Sequence, residues 1–303
     1  MSATYAAAAT LEDALAAMRA GSRPVAGGTD LVVGARQGKA ALPAALVAIH
    51  GLAELHGITE LPAGGLRIGA LASHADLVSH PAVRSRYTAL ADASAIVGSH
   101  ATRHIGTIGG NVMNASPAME TGGPLMCMGA EAVLASAAGE RRLGLDALLT
   151  GPGSTAARPD ELLVAIELPA PAAATGSCYA RLEYRRQMEI AVVGATCSVT
   201  LEGSRVAAAR VAITALTPCI VRVSAAEAAL AGSDGGPEAV GAAGAAAAAA
   251  AKPISDVRAS ADYRRAMAAV IARRAITAAL ARARDGGDAV PIPASPALHG
   301  ATE

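Results

Sequence analysis

The sequence predicts an α/β first part followed by an α+β module. Three observations carry this reading. Residues 1–50 alternate short apolar runs with capped helical stretches, residues 51–172 mix strand and helix signals, and the last third sets three strand-like runs ahead of three helical ones. The boundaries drawn from these shifts are 1–55, 56–172 and 173–290, with a Pro-rich, irregular tail over 291–303. A chain of 303 residues is long enough for two or three packed units.

Each element follows from local chemistry. Thr10 caps a helix over 11–18, which Gly21 stops. A strand over 23–26 runs into the Gly27-Gly28 turn, and Thr29 and Asp30 are caps for a helix over 31–36. Residues 45–49 read as a further strand. In the middle part, 66–69 form a strand, Ser73 opens a helix through Leu77, and one longer helix is expected over 81–96. A glycine-rich loop, an apolar helix near 125–128 and strands over 132–136 and 162–168 follow, and Pro169 and Pro171 mark a linker. The last part predicts strands over 178–185, 190–201 and 206–215, then helices over 225–231, 237–251 and 261–282.

Composition excludes several function classes. Lys plus Arg and Asp plus Glu are both 25, so the net charge is zero. Such a chain lacks the basic surface that displaces counterions from nucleic acid or clings to acidic lipid. Phe and Trp are absent, so cores must be built from Ala, Val, Leu, Ile and Met, and no aromatic platform is available for bases. Cys127, Cys178, Cys197 and Cys219 lie far apart with no CxxC, which argues against a zinc or iron–sulfur site and for buried, reduced thiols. The start, Met-Ser-Ala-Thr-Tyr, lacks the pattern of a signal peptide, and the uncharged run over 239–251 is too short and too weakly apolar for a membrane span. A cytoplasmic protein with no transmembrane segment is expected.

Two glycine-bearing segments carry the chemistry. In the first, Pro24-Val25-Ala26-Gly27-Gly28-Thr29-Asp30-Leu31, glycines allow close backbone approach, and free N–H groups at a helix start suit phosphate or pyrophosphate. It is neither GxGxxG nor a Walker loop, and a plain βα turn would look the same. The second, running from Gly106 and Thr107 through Gly109, Gly110, Asn111 and Asn114 to Ser116-Pro117, supplies uncharged donors and acceptors for a large, oxygen-rich ligand. Its bland alternative is a surface loop whose Asn and Ser satisfy their own backbone.

Together these segments resemble the FAD subunit of the xanthine dehydrogenase and carbon monoxide dehydrogenase family. The resemblance extends through Leu66-Arg67-Ile68-Gly69-Ala70 with Ser73-His74-Ala75-Asp76, Arg185-Arg186 with Ile190-Ala191-Val192-Val193, and Ser260-Ala261-Asp262-Tyr263-Arg264, in the family's order along nearly the whole chain. It implies a vanillyl-alcohol-oxidase (PCMH) type fold, with two FAD-binding subdomains and an α+β domain closing over them. In the family the first loop embraces the pyrophosphate, which carries over to Ala26, Gly27, Gly28, Thr29, Asp30 and Leu31. The second reaches phosphate, ribose and adenine, which carries over to Thr107, Gly109, Gly110, Asn111 and Asn114. Glu120 stands where an Asp commonly binds ribose or adenine, and Glu189 where an Asp is usual before Ile190. Arg181 falls where a family Lys or Arg approaches the cofactor, and Leu163 matches an apolar contact to flavin or adenine.

The resemblance further implies an electron-transfer flavoprotein subunit with no catalytic side chain. Its partners are a small subunit with two [2Fe–2S] clusters and a large one with molybdopterin-bound molybdenum, assembled as a dimer of heterotrimers. The final acceptor is left open among NAD, a quinone, another carrier and oxygen, and the hydroxylated substrate belongs to another chain. A stand-alone FAD oxidoreductase of the same fold and a cofactor-free scaffold subunit are the competing readings. Among other candidates, His100 and His104 are spaced for one helix face but lack a third ligand, so a surface role is expected. His74 is read as orienting a loop, and Cys127 with Met126 and Met128 as core. Glu183 and Glu189 are expected in ion pairs, and Arg264, Arg265, Arg273 and Arg274 on a solvated helix face or in a subunit contact.

Overall fold

Thr10 accepts a hydrogen bond from Asp13 N while the Asp13 carboxylate accepts from Thr10 N, a reciprocal cap that starts α1 (Leu11–Arg19) between β1 (Thr4–Ala7) and β2 (Arg23–Val25). The computed structural model describes residues 4–185 and 187–285. Arg186, the predicted tail over 291–303 and the last residues of the third predicted unit lie outside them. After α2 (Leu31–Arg36) comes β3 (Ala45–Ala48), and the strands form a parallel sheet in the order β1-β3-β2. Strand β1 is absent from the sequence reading because its four residues are all exposed and show no apolar alternation. Asp30 precedes α2 as expected but makes no side-chain capping bond.

The middle part is an antiparallel sheet. A 3-10 turn at Ala53–Leu55 leads to β4 (Ile58–Glu60) and β5 (Leu66–Gly69), and then to α3 (His74–Ser79), capped by Ser73. The single helix expected over 81–96 is two, α4 (Pro81–Arg86) and α5 (Thr88–Ala95). They break at Tyr87, whose buried phenol donates to Pro169 O at 2.9 Å and ties the bend to the linker. The glycine-rich loop is also helical in large part. After α6 (His100–Ile105), Thr107 caps α7 (Ile108–Met113), accepting from Gly110 N at 3.1 Å, so both glycines sit in a helical first turn. Helix propensity argues against glycine there, and the cap with packing on Ala70 overrides it.

The chain continues through α8 (Gly122–Cys127), β6 (Glu131–Ser136), β7 (Gly139–Gly144), α9 (Leu145–Leu148), the small hairpin of β8 (Leu149–Gly151) and β9 (Ser154–Thr155), and β10 (Leu162–Leu168). The sheet order is β4-β5-β10-β6-β7, with β10 nearly continuously buried at its centre and its register shifted between Leu163 and Ala165. Val133, Leu162 and Val164 share a core with Leu15 and Met18 of α1, which locks the first sheet to the second.

The last part pairs β11 (Thr175–Leu182), β12 (Val193–Glu202), β13 (Arg205–Thr214) and β14 (Val221–Arg222) in sequence order. Helices α10 (Ser224–Leu230), α11 (Pro237–Ala250) and α12 (Ala261–Asp285) follow. The core joining these strands to α11 and α12 is rich in alanine, and small side chains let the backbones approach: a Cβ on Gly176 of β11 would meet Ala279 O at 2.3 Å. Helices α5 and α8 lie against the sheet as well. Arg264 departs from the solvated-face reading. It is 3% exposed and donates to Asp256 Oδ1 at 2.7 Å and Val192 O at 3.1 Å, pinning the start of α12 to the residue that leads into β12. Cys127, Cys178 and Cys197 are buried and Cys219 is half-buried, all as free thiols.

Candidate cofactor site

The turn after β2 and the helix α7 face each other across a cleft of about 700 Å³, within the roughly 300–1,000 Å³ of small-molecule and cofactor sites. Ala26, Gly27, Gly28, Thr29, Asp30 and Leu31 line it from one side, and Thr107, Gly109, Gly110, Asn111 and Asn114 from the other. Glu120 and Leu163 border it too. The structure therefore brings every residue carried over to cofactor binding to one cavity, Arg181 excepted.

The two glycine pairs divide their labour in the same way. A Cβ on Gly27 would lie 2.0 Å from Ile105 O, and one on Gly109 would lie 2.6 Å from Ala70 O, so these two are required by the protein's own backbone. Gly28 has φ +68°, which a side chain rarely tolerates, and nothing of the protein lies nearer than 3.6 Å to its missing Cβ. Gly110 is exposed, and its missing Cβ would meet only the Thr107 hydroxyl at 3.0 Å. One glycine of each pair thus closes the fold, and the other keeps the cleft wall low.

Backbone donors are distributed unequally. The N–H groups of Gly27, Gly28, Thr29, Asp30 and Leu31 have no acceptor among the described residues. By contrast Ile108, Gly109, Gly110 and Asn111 give theirs to Ala72 O, Ala70 O, Thr107 Oγ1 and Thr107 O. The first loop is therefore the one built to receive an anion, and the second offers side chains. Thr121 donates to Asn111 Oδ1 at 2.6 Å, leaving the Asn111 NH₂ as the donor for the cleft. This donor set and the low glycine wall fit a dinucleotide carrying a pyrophosphate and hydroxyl-rich sugars.

Arg181 is fully buried and does not line the cleft. It donates to Glu120 Oε1 at 2.8 Å and Ile96 O at 3.2 Å and pairs with Glu183. Burial pushes the Glu120 carboxyl up from its ordinary range, and the Arg181 charge opposes this. Arg158 and Glu161 before β10 and Met188 in the loop after β11 also line the cleft and had no sequence signal, whereas Arg185, Glu189 and Ile190 beside Met188 fall in the stretch that carried the resemblance. Met188 N bonds Gly98 O at 2.9 Å, which folds that loop onto the segment before α6. Only long-range folding places these residues here, and Met188 and Ala115 hold a left-handed backbone that no sequence pattern announces.

His74 also borders the cleft, 1% exposed. Burial and then the Arg103 charge push its imidazole down to about 4, so it is neutral near pH 7. His100 and His104 do share α6, with ring centroids 5.0 Å apart, and no group of metal-ligating side chains occurs among the described residues. No helix among them is long and apolar enough to cross a membrane.

Comparison with known proteins accords with this geometry. Residues 1–171 match the family described as the FAD binding domain in molybdopterin dehydrogenase, and 178–279 match the CO dehydrogenase flavoprotein C-terminal domain. The carbon monoxide dehydrogenase medium chain of Hydrogenophaga pseudoflava is 32% identical over 80% of this chain and 84% of its own length. The xanthine dehydrogenase FAD-binding subunit of Escherichia coli O157:H7 is 28% identical over 93% of this chain and 97% of its own. Among solved structures, carbon monoxide dehydrogenase from Hydrogenophaga pseudoflava superposes with a TM-score of 0.89 at 33% identity, over 93% of this chain and 98% of the other. Quinoline 2-oxidoreductase from Pseudomonas putida 86 gives 0.87 at 27%, over 93% and 98%.

Proposed function

The chain belongs to the family of FAD-binding subunits of molybdopterin dehydrogenases, and on that premise we propose that it binds FAD in the cleft and serves as the electron-relay subunit of a molybdenum hydroxylase. One observation carries the reading: a loop whose backbone donors have no acceptor among the described residues faces a helix that offers side-chain amides, across a wall kept low by Gly28 and Gly110. The Gly27–Leu31 backbone holds the pyrophosphate, Asn111 and Asn114 reach ribose and adenine, and Leu163 gives an apolar contact. Glu120 accepts from a cofactor hydroxyl, and Arg181 acts behind it, fixing the carboxylate. Arg185, Met188, Glu189 and Ile190 add a further wall beside the cofactor.

The chemistry bound FAD supplies is electron relay, from [2Fe–2S] clusters of a small partner subunit to an external acceptor. The molybdopterin site and the organic substrate belong to a large partner subunit, in a dimer of heterotrimers. No side chain at the cleft needs to act as an acid or base in this division of labour: His74 is neutral near pH 7, and Glu120 is engaged by Arg181. The test is a visible spectrum of the purified chain, with identification of any cofactor released on denaturation. One FAD per chain and no cluster absorbance is the expected result, with iron–sulfur and molybdenum subunits recovered when the assembly is purified whole. A colourless chain that does not take up FAD overturns the proposal.

A further inference from the structure

His74 is the first residue of α3, at the joint between the two loops. Its backbone N donates to Gly106 O at 3.2 Å, and Ser73 beside it bridges to Thr107. A Cβ on Gly106 would lie 3.6 Å from both His74 Cδ2 and Thr29 Oγ1, so ring and hydroxyl are neighbours across that glycine. His74 Nδ1 is sealed and has no hydrogen-bond partner among the described residues. With Cδ2 against Gly106 and Nδ1 enclosed, the edge able to border the cleft is the one carrying Nε2. A histidine this deeply buried ordinarily satisfies its ring nitrogens within the protein, and the Nδ1 of this one has no partner among the described residues.

We propose that His74 is a cofactor-binding residue, donating a hydrogen bond from Nε2–H to the pyrophosphate beside Thr29. The inference rests on the reading of the cleft as an FAD site. A neutral donor suits the place. Arg103 already supplies positive charge nearby, the Gly27–Leu31 amides supply the rest of the anion's partners, and Asp76, the charged group on α3 itself, is committed to the Ser73 cap. The ring thereby links the anion loop to the start of α7.

The test is binding of FAD and of ADP to the full apo-chain, read by fluorescence and calorimetry, alongside its thermal midpoint without ligand. His74→Gln places a donor where Nε2 stands, and His74→Asn places one where Nδ1 stands. His74→Leu is expected to weaken FAD and ADP equally, by about tenfold. His74→Gln should stay within about twofold of wild type, and His74→Asn should follow Leu. Unchanged FAD affinity in His74→Leu overturns the proposal while leaving the FAD site intact. So does a loss confined to FAD with ADP unaffected, or a loss that tracks a lowered apo midpoint and is not restored by Gln. Failure of the wild-type chain to bind FAD removes the reading beneath it and this inference together.

Discussion

Arg181 Nη1 donates to Glu120 Oε1 at 2.8 Å, joining β11 of the C-terminal sheet to the floor of the cleft. The C-terminal module therefore acts on the site through the posture of one carboxylate. Glu183 also pairs with Arg181, so the guanidinium lies between two acids.

Replacing Arg181 with Met should destabilise the chain by about 3–5 kcal/mol, because it takes the charged partner from the buried Glu120 carboxylate rather than merely removing a bond. Urea unfolding measures this, and Glu120→Gln in the same background should recover part of the loss by removing one stranded charge. A Met variant as stable as wild type would show that the pair is dispensable.

Glycine substitutions should separate folding from binding. A Cβ at Gly27 would overlap Ile105 O at 2.0 Å, so Gly27→Ala should lower the midpoint of the chain even without cofactor. A Cβ at Gly110 would meet only the Thr107 hydroxyl, at 3.0 Å, so Gly110→Leu should leave apo-chain stability within about 1 kcal/mol of wild type while abolishing FAD uptake. Full FAD occupancy in Gly110→Leu would mean that α7 does not face the cofactor. Thr29→Ala should be mild, because the unpaired groups of that loop are backbone.

The sequence announces the parts of this architecture whose signals are local. Thr10 and Ser73 reveal their helices through capping boxes, and the apolar run of β10 reveals a central strand. Illegible parts depend on distant partners. Tyr87 breaks a helix because Pro169 O lies within reach, and Gly109 and Gly110 become helical because Thr107 and Ala70 hold them. Both glycine pairs were visible as motifs, but which member serves the fold and which the cleft is set by Ile105 and Ala70, remote in sequence. Arg181 illustrates the limit of a motif: its place in the chain points to the cofactor, and its contacts point to Glu120.

A second buried pair holds the modules together. Arg282 Nη1 of α12 donates to Asp92 Oδ2 of α5 at 2.6 Å and to Ser177 O of β11 at 2.6 Å, and Tyr179 N donates to the same carboxylate. Arg282→Met should be worse than Asp92→Asn, since the first strands a fully buried carboxylate, whereas the second leaves a partly exposed guanidinium with Ser177 O. We expect losses of about 3–5 and about 2 kcal/mol, with hydrogen exchange accelerated in α12 and β11 and unchanged in the sheet of β1, β2 and β3. Equal exchange in all three regions would place the modules in a single cooperative unit instead.

Acid should reveal His74. Its folded-state value is about 4, against 6.5 for a free imidazole, so between these pH values the unfolded chain binds a proton that the folded chain refuses. Stability therefore rises with pH across that window, and the contribution, fully favourable above pH 6.5, is lost as pH falls toward 4. The shift corresponds to about 3 kcal/mol. Because carboxylates titrate in the same range, the quantity to measure is the difference between wild type and His74→Gln in urea unfolding, followed from pH 7 to pH 4 on the apo-chain. That difference should move in favour of the variant by about 3 kcal/mol on acidification. Parallel pH curves would mean that the imidazole takes up its proton in the folded chain as readily as in the unfolded one, and that the ring is not sealed between the two loops.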